Sequence, residues 1–350
     1  MPRRIVLVTL AAVLMLGVLG LTGCKKVQQE IKSLWPHADT ERTVARPADE
    51  VRWPLTGLDA PNANVTNRRV VSVKIENSPD ARPQTNLQRA DVVYESITEG
   101  GITRFNALFH SDRPQTVGNV RSARLSDTYI VPQYNALFFF AGASTYVNGQ
   151  IKKRTSIANL SLDNGVEKPY FRTSDRRAPH NLYLRMNLID QTARSRGYQL
   201  TQKLQGFAFD RSGETTGPAI SELFIRFSPA ANARWVYDRA SKRYRRWENG
   251  TPHVDKGTGK QITSRNVVVL WAKMSATGHR DVAGSETFDI ILDGSNRASI
   301  FRDGMRFDGT WNAGKSAPPT FRTDSGSLLR LSPGNTWFEV VPSNLNIQMR

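Results

Sequence analysis

The chain is 350 residues long with 39% hydrophobic content, which suffices for two ordinary domains with real apolar cores. Its single cysteine, Cys24, excludes disulfides within the chain and zinc sites built from several thiolates. The formal net charge of +17 favours anionic partners such as phospholipid headgroups, phosphate-rich wall polymers or nucleic acid.

The N-terminus reads as an export signal. Arg3 and Arg4 precede an apolar run over Ile5–Leu21, and Leu21-Thr22-Gly23-Cys24 closes it. The run is shorter than the roughly 20 residues with which a helix crosses a bilayer, and its layout is that of a cleaved signal peptide, residues 1–23. The residues ending at Cys24 resemble the lipobox of bacterial lipoproteins, in which the cysteine is acylated and becomes the new N-terminus. Two acyl chains there would hold the protein stably, where one chain is marginal. Residues 24–50 are polar, with Pro36 and Pro47, and form the expected tether. The predicted location is therefore the extracytoplasmic face of the cell membrane, with lipidated Cys24 as the anchor.

Order is expected from Trp53 onward. Arg69–Glu76 alternates Val71, Val73 and Ile75 with Ser72, Lys74 and Glu76, the period of a half-buried strand. Residues 91–97 and 103–109 predict two more strands, joined through Glu99-Gly100-Gly101, where glycine permits a tight connection. A short helix is expected within 122–134, stopping near Pro132. The continuous apolar run 136–142 predicts a strand covered on both faces, 145–154 a helix, and 182–196 a helix with Gly197 as its C-cap. Residues 51–215 thus read as an α/β domain, a mixed sheet with helices. The loop-like Ser212–Pro218 marks a boundary. Residues 216–350 predict a mostly β domain, with strands over 223–227, 234–237, 244–247, 266–271, 287–292, 298–302, 306–311 and 337–341. Asn249-Gly250 and Asp303-Gly304 are hairpin turn signals between them.

Several longer motifs carry a family resemblance. They are Asn67-Arg-Arg-Val-Val71 with Glu76-Asn77, Ala81-Arg-Pro-Gln84, Ala90–Glu95, Glu99–Arg104, Val120-Arg-Ser-Ala-Arg124 and Ala178-Pro-His-Asn-Leu-Tyr183. The second half adds Asn249–Val254, Asn266–Val269, Phe301–Gly304, Gly309-Thr-Trp311 and Pro333–Trp337. Over roughly residues 50–345 the chain resembles the YerB-like lipoproteins, a family of unknown function with N- and C-terminal domains. Asn119 stands where relatives often have proline, and Phe140 where histidine is common. The second departure weakens any scheme that needs a histidine at that point. The resemblance implies an envelope lipoprotein with an α/β part and a β-rich part, and no established reaction.

The chemistry is concentrated in Asp91–Arg124. Glu76, Asp91, Glu95 and Glu99 fall at or near strand ends, where paired carboxylates can act as acid and base. The same acids can instead pair with Arg104, Arg121 and Arg124 as a structural network or leave an anion site between them. His180 and Asn181 form a candidate base and orienter. The histidines show no metal-ligand spacing, and no metal or cofactor is expected. In the run 239–247, Arg245 and Arg246 are candidates for contact with an anionic polymer or the membrane; a solvated hairpin edge is the plainer alternative. The export signal argues against nucleic acid, and nothing in the sequence sets an oligomeric state.

Two readings follow. The first is a membrane-anchored lipoprotein that binds a cell-envelope partner, protein or anionic polymer, without catalysis. The alternative is a cell-wall glycan or phosphodiester hydrolase using Glu95, Glu99, His180 and the arginines.

Overall fold

The computed structural model describes residues 50–154, 156–212, 216–281 and 284–350. The expected signal peptide, Cys24 and the tether up to residue 49 lie outside these residues, as do 213–215 of the expected boundary loop.

The first half supplies β1 (Val71–Glu76), β2 (Val92–Ile97), β3 (Thr103–Phe109), β4 (Thr116–Gly118), β5 (Leu137–Phe139), β6 (Ala158–Asn159), β7 (Tyr170–Arg172) and β8 (Leu182–Arg185). Helices cover Asp127–Gln133, Thr145–Lys153 and Ile189–Ser195. From residue 216 on, the described regular structure is strand: β9 (Glu222–Arg226), β10 (Asn232–Asp238), β11 (Arg243–Glu248), β12 (Thr251–Pro252), β13 (Thr263–Ser264), β14 (Asn266–Ala272), β15 (Met274–Arg280) and β16 (Glu286–Ile290). It continues through β17 (Gly294–Arg302), β18 (Met305–Ala313), β19 (Thr320–Arg322), β20 (Leu328–Leu329), β21 (Thr336–Pro342) and β22 (Gln348–Met349). An α/β first half is followed by a β-rich second half.

One eleven-stranded sheet runs through both halves in the order β20-β19-β18-β17-β14-β21-β2-β3-β1-β5-β6. Its joint is β21, which lies between β14 and β2 and runs parallel to both. Because β3 is antiparallel to β1 and to β2, and β5 is parallel to β1, the strands β1, β2, β5, β14 and β21 all point the same way. Their carboxyl ends share one edge of the sheet. The outermost strands, β20 and β6, are two residues each, which leaves little open edge for another chain to pair with.

One face of this sheet packs Val73, Phe105, Val269 and Trp337 against Ile225, Trp235 and Tyr244 of a second sheet, β12-β11-β10-β9-β22. The other face packs Tyr94, Phe138, Phe140 and Phe338 against Ile130, Val131, Val147 and Ile151 of two helices. With both faces covered, Val51–Arg350 closes into one compact unit.

Two local expectations change. The alternation in β1 predicts one solvated face, but all six residues are buried. Ser72 and Lys74 meet Asn106 and Asp127 at 2.8 Å each, so a polar layer beneath the helix Asp127–Gln133 takes the place of solvent. The helix expected over 182–196 is helical only in its second half, because Leu182–Arg185 pairs with β4 and β7 as β8. The helix expected to stop near Pro132 is present and ends one residue later, at Gln133. The two predicted hairpin turns are present: Asn249, Gly250, Asp303 and Gly304 all have positive φ, as a type I′ turn requires.

Candidate functional site

Successive residues of a strand face opposite sides. The sheet therefore divides the acids and arginines of Asp91–Arg124 into two groups, one inside the molecule and one at the carboxyl edge.

The interior group is built on Glu95, which is fully buried on β2. Its Oε2 accepts from Arg246 Nη2 at 2.6 Å and from Trp337 Nε1 at 3.2 Å, and its Oε1 accepts from Thr103 Oγ1 at 2.7 Å. Arg246 comes from β11 in the second sheet and is also fully buried. Its Nη1 lies 2.5 Å from Glu248 and donates to His253 Nδ1 at 2.5 Å. That donor fixes Nδ1 as an acceptor, so the neutral ring donates from Nε2 to Gln84 Oε1 at 2.7 Å. Burial and then the neighbouring Arg246 and Arg82 hold His253 well below the usual imidazole range. Phe105, Trp235 and Trp337 surround the Arg246 guanidinium at 5.0–5.6 Å.

Glu339 stands opposite Glu95 in the parallel register of β2 and β21. Its Oε1 accepts from Trp235 Nε1 at 2.6 Å, and its buried Oε2 has no partner. Burial, then the facing Glu95 carboxylate, raises Glu339 well above the usual carboxyl range. Burial raises Glu95 too, against the pull of Arg246. Glu95 has the guanidinium and two further donors, whereas Glu339 has one indole, so the proton belongs on Glu339. Burial opposes the charge of Arg246, but Glu95 and Glu248, the leading opposite charges, outweigh it and raise its pKa. Arg82, 3.2 Å from Glu248, completes a balanced set: two cations, two carboxylates and one neutral acid. The group bolts the second sheet to the first.

The second group gathers where β1, β2 and β3 meet the carboxyl edge. Arg124 Nε donates to Glu99, and its Nη1 donates to the carbonyls of Ser122 and Ala123 at 3.3 and 2.9 Å. Arg121 Nε lies 3.1 Å from Glu76 Oε1. The same oxygen accepts from Ser78 Oγ at 2.8 Å and lies 3.0 Å from His180 Nδ1. Arg104 pairs with Glu76 in the backbone register, yet among the described residues its side chain reaches only the Ser122 carbonyl, at 3.3 Å, and its buried Nε has no partner. Burial, then the nearby Arg124 and Arg121, lowers Arg104 to about 9. Directly inward, Lys74 and Asp127 form a neutral pair at 2.8 Å and supply no spare negative charge. Three arginines thus face two buried carboxylates, with the exposed Asp80 beside His180 as a third acid at the rim.

Of the sequence candidates, Glu99, Arg104, Arg121, Arg124 and His180 come together here with Glu76. Glu95 does not; it belongs to the interior group. Arg246 is corrected as well: it was expected on a solvated basic run, but side chains alternate along β11 and its own points inward. Arg245 stays half-exposed and pairs with Asp238 at 2.5 Å. Asn181 is buried and spent on β7, accepting from Arg172 at 2.8 Å and donating to the Thr173 carbonyl at 2.6 Å. Asp91 caps the turn after β3 by accepting from the amides of His110 and Ser111 at 2.5 and 2.8 Å; burial raises it to about 6. Glu248, His253 and Glu339 are missed by sequence reasoning. The signal for Glu339 is a lone acid inside the apolar run Trp337–Val341.

A mixed sheet shared by an α/β half and a β-rich half, with arginine–carboxylate groups on both of its faces, defines the class of this protein. Models described as the N-terminal and C-terminal domains of a protein of unknown function (DUF3048) match residues 55–199 and 223–338. The chain is 30% identical over 304 residues to a Bacillus subtilis (strain 168) protein that carries the name "Putative lipoprotein YerB", covering 84% of this chain and 87% of the relative. The chain is also similar to the crystal structure of YerB protein from Bacillus subtilis, with a TM-score of 0.76 at 28% identity over 86% of this chain and 99% of that one. The chain belongs to this YerB-like family.

The proton on Glu339 has a thermodynamic consequence. A carboxyl whose folded pKa is raised contributes stability that is present below the unfolded value, near 4.3, and lost as pH rises through the folded one. Glu339→Gln, which mimics the protonated acid, should be more stable than the wild type at pH 8, by about 1.4 kcal/mol for each unit by which the folded pKa exceeds the unfolded one, and the gap should close toward pH 4. Chemical denaturation across this range measures it; a gap that is constant with pH would place the proton elsewhere.

Proposed function

We propose that this protein is a lipid-anchored lipoprotein of the extracytoplasmic membrane face. In this reading it binds an anionic group of an envelope partner, protein or polymer, at the arginine corner and performs no chemistry on it. The observation that carries the reading is Arg104, a buried guanidinium with no carboxylate partner among the described residues, between two arginines that have one. A buried cation without a counter-charge is costly, and a bound carboxylate or phosphate oxyanion would supply the missing charge through bidentate hydrogen bonds. Arg121, partly exposed, offers the approach from solvent. Anchoring rests on Cys24 and on the name of the Bacillus relative. Among the described residues, no helix is long and apolar enough to cross a membrane.

A hydrolase built on Glu95 and Glu99 loses support, since the first is sealed in the interior and the second is held by Arg124. One observation favours a hydrolase of another kind. Glu76 holds His180 by Nδ1, and the nearest acid to Nε2 is Asp80 at 3.9 Å, an arrangement suited to a general base.

The test uses full-length protein in detergent and retention on purified envelope material. Arg104→Met should leave thermal stability unchanged or raise it while weakening retention about tenfold. A loss of about 3–5 kcal/mol in stability would instead mark Arg104 as half of a structural ion pair. Turnover of a wall fraction that disappears in His180→Ala would favour the hydrolase. Cys24→Ala should release the protein from membranes or block its maturation; normal processing with full membrane retention would refute acylation.

A further inference from the structure

At the opposite edge of the main sheet, before β14 and β21 begin, two open cavities of ≈ 660 and ≈ 560 Å³ share Tyr237 and Asp303 in their walls. Together they form a trough with the Tyr237 side chain as its divide. The position of Tyr237 is fixed, because its ring lies against Gly304 of the β17–β18 turn, where a Cβ would come within 2.7 Å of it.

The acids of the trough are already committed. Asp303 pairs with Arg265 at 2.6 Å and Arg302 at 3.2 Å, Asp210 with Arg302 at 2.9 Å, and Asp59 with Arg211 at 2.7 Å. The tip of the β10–β11 hairpin behaves differently. Lys242 faces the first cavity and Arg239 the second, both are exposed, and among the described residues no carboxylate pairs with either. The uncommitted charge is therefore positive on each side of an aromatic ring. These are members of the basic run that sequence reading singled out, and they remain available after Arg246 has gone to the interior and Arg245 to Asp238.

We infer that the trough binds a phosphodiester-linked polymer, in which phosphates alternate with uncharged polyol or sugar units. Successive phosphates lie at Lys242 and Arg239, and the unit between them lies against Tyr237. The pattern of cation, ring and cation matches that alternation, and an open trough admits a chain that passes through at both ends. The choice of a wall-type polymer over a single-stranded nucleic acid rests on the extracytoplasmic reading above; the binding surface itself does not depend on the arginine corner.

Calorimetric titration of full-length protein in detergent with poly(glycerol phosphate) tests this. Arg239→Glu with Lys242→Glu should weaken binding about tenfold or more and flatten its salt dependence. Arg239→Gln with Lys242→Gln, a milder change on an exposed turn, should give a smaller loss in the same direction. Arg104→Met should leave intact the part of the binding that the charge reversal removes. The inference is overturned if the charge-reversed protein binds as the wild type does. It is also overturned if inorganic phosphate competes as well as the polymer at equal phosphate concentration, or if a single-stranded oligonucleotide binds more tightly than the polymer.

Discussion

The fold depends on a guanidinium placed among two carboxylates, one protonated acid and three aromatic rings, with no exposed surface of its own. Bringing Arg246 out of water is unfavourable unless its charge is matched and its donors are used. Glu95 on β2 and Glu248 on β11 provide the match, and Glu339 on β21 must carry a proton for the count to balance. These residues sit on three strands, β2, β11 and β21, which come from both halves of the chain and from both sheets. A local error in pairing or register would leave a charge buried without a partner, so the cluster favours one assembly over its competitors.

The same sheet explains why the acids and arginines of Asp91–Arg124 have two fates. Strand alternation sends Glu95 inward, to a layer closed by tryptophan rings. It sends Arg104 to the other face, where Lys74 and Asp127 already satisfy each other and the remaining carboxylates are taken by Arg121 and Arg124. The interior is balanced, and the corner leaves the buried Arg104 without a carboxylate partner among the described residues. That difference, rather than residue type, separates a structural network from a candidate binding site, and it places the candidate at the carboxyl ends of parallel strands, where open α/β sheets commonly bind ligands.

Much of this was legible in the sequence. Period-two alternation located β1, the runs on either side of Glu99-Gly100-Gly101 located β2 and β3, the change of character after residue 212 marked the β-rich half, and Asn-Gly and Asp-Gly located hairpins. What was hidden is what depends on tertiary contact. The polar residues of β1 look solvent-facing because sequence does not show the helix that covers them. Arg246 looks like part of an exposed basic run because the run's charge conceals that alternate residues of β11 face opposite ways. The parallel pairing of β21 with both β2 and β14 joins segments more than 200 residues apart in the case of β2, and no local pattern encodes it. The pairing of Glu95 with Arg246, across 151 positions, is hidden for the same reason.

A double-mutant cycle on Glu95 and Arg246 tests this account most directly, with Glu95→Gln, Arg246→Met and the pair measured by chemical denaturation at neutral pH. Each single change strands a buried charge, whereas the pair removes both. The account predicts a coupling of about 3 kcal/mol or more, with the double variant no less stable than the worse single variant. Effects that add to within about 0.5 kcal/mol would show two independent residues and contradict it.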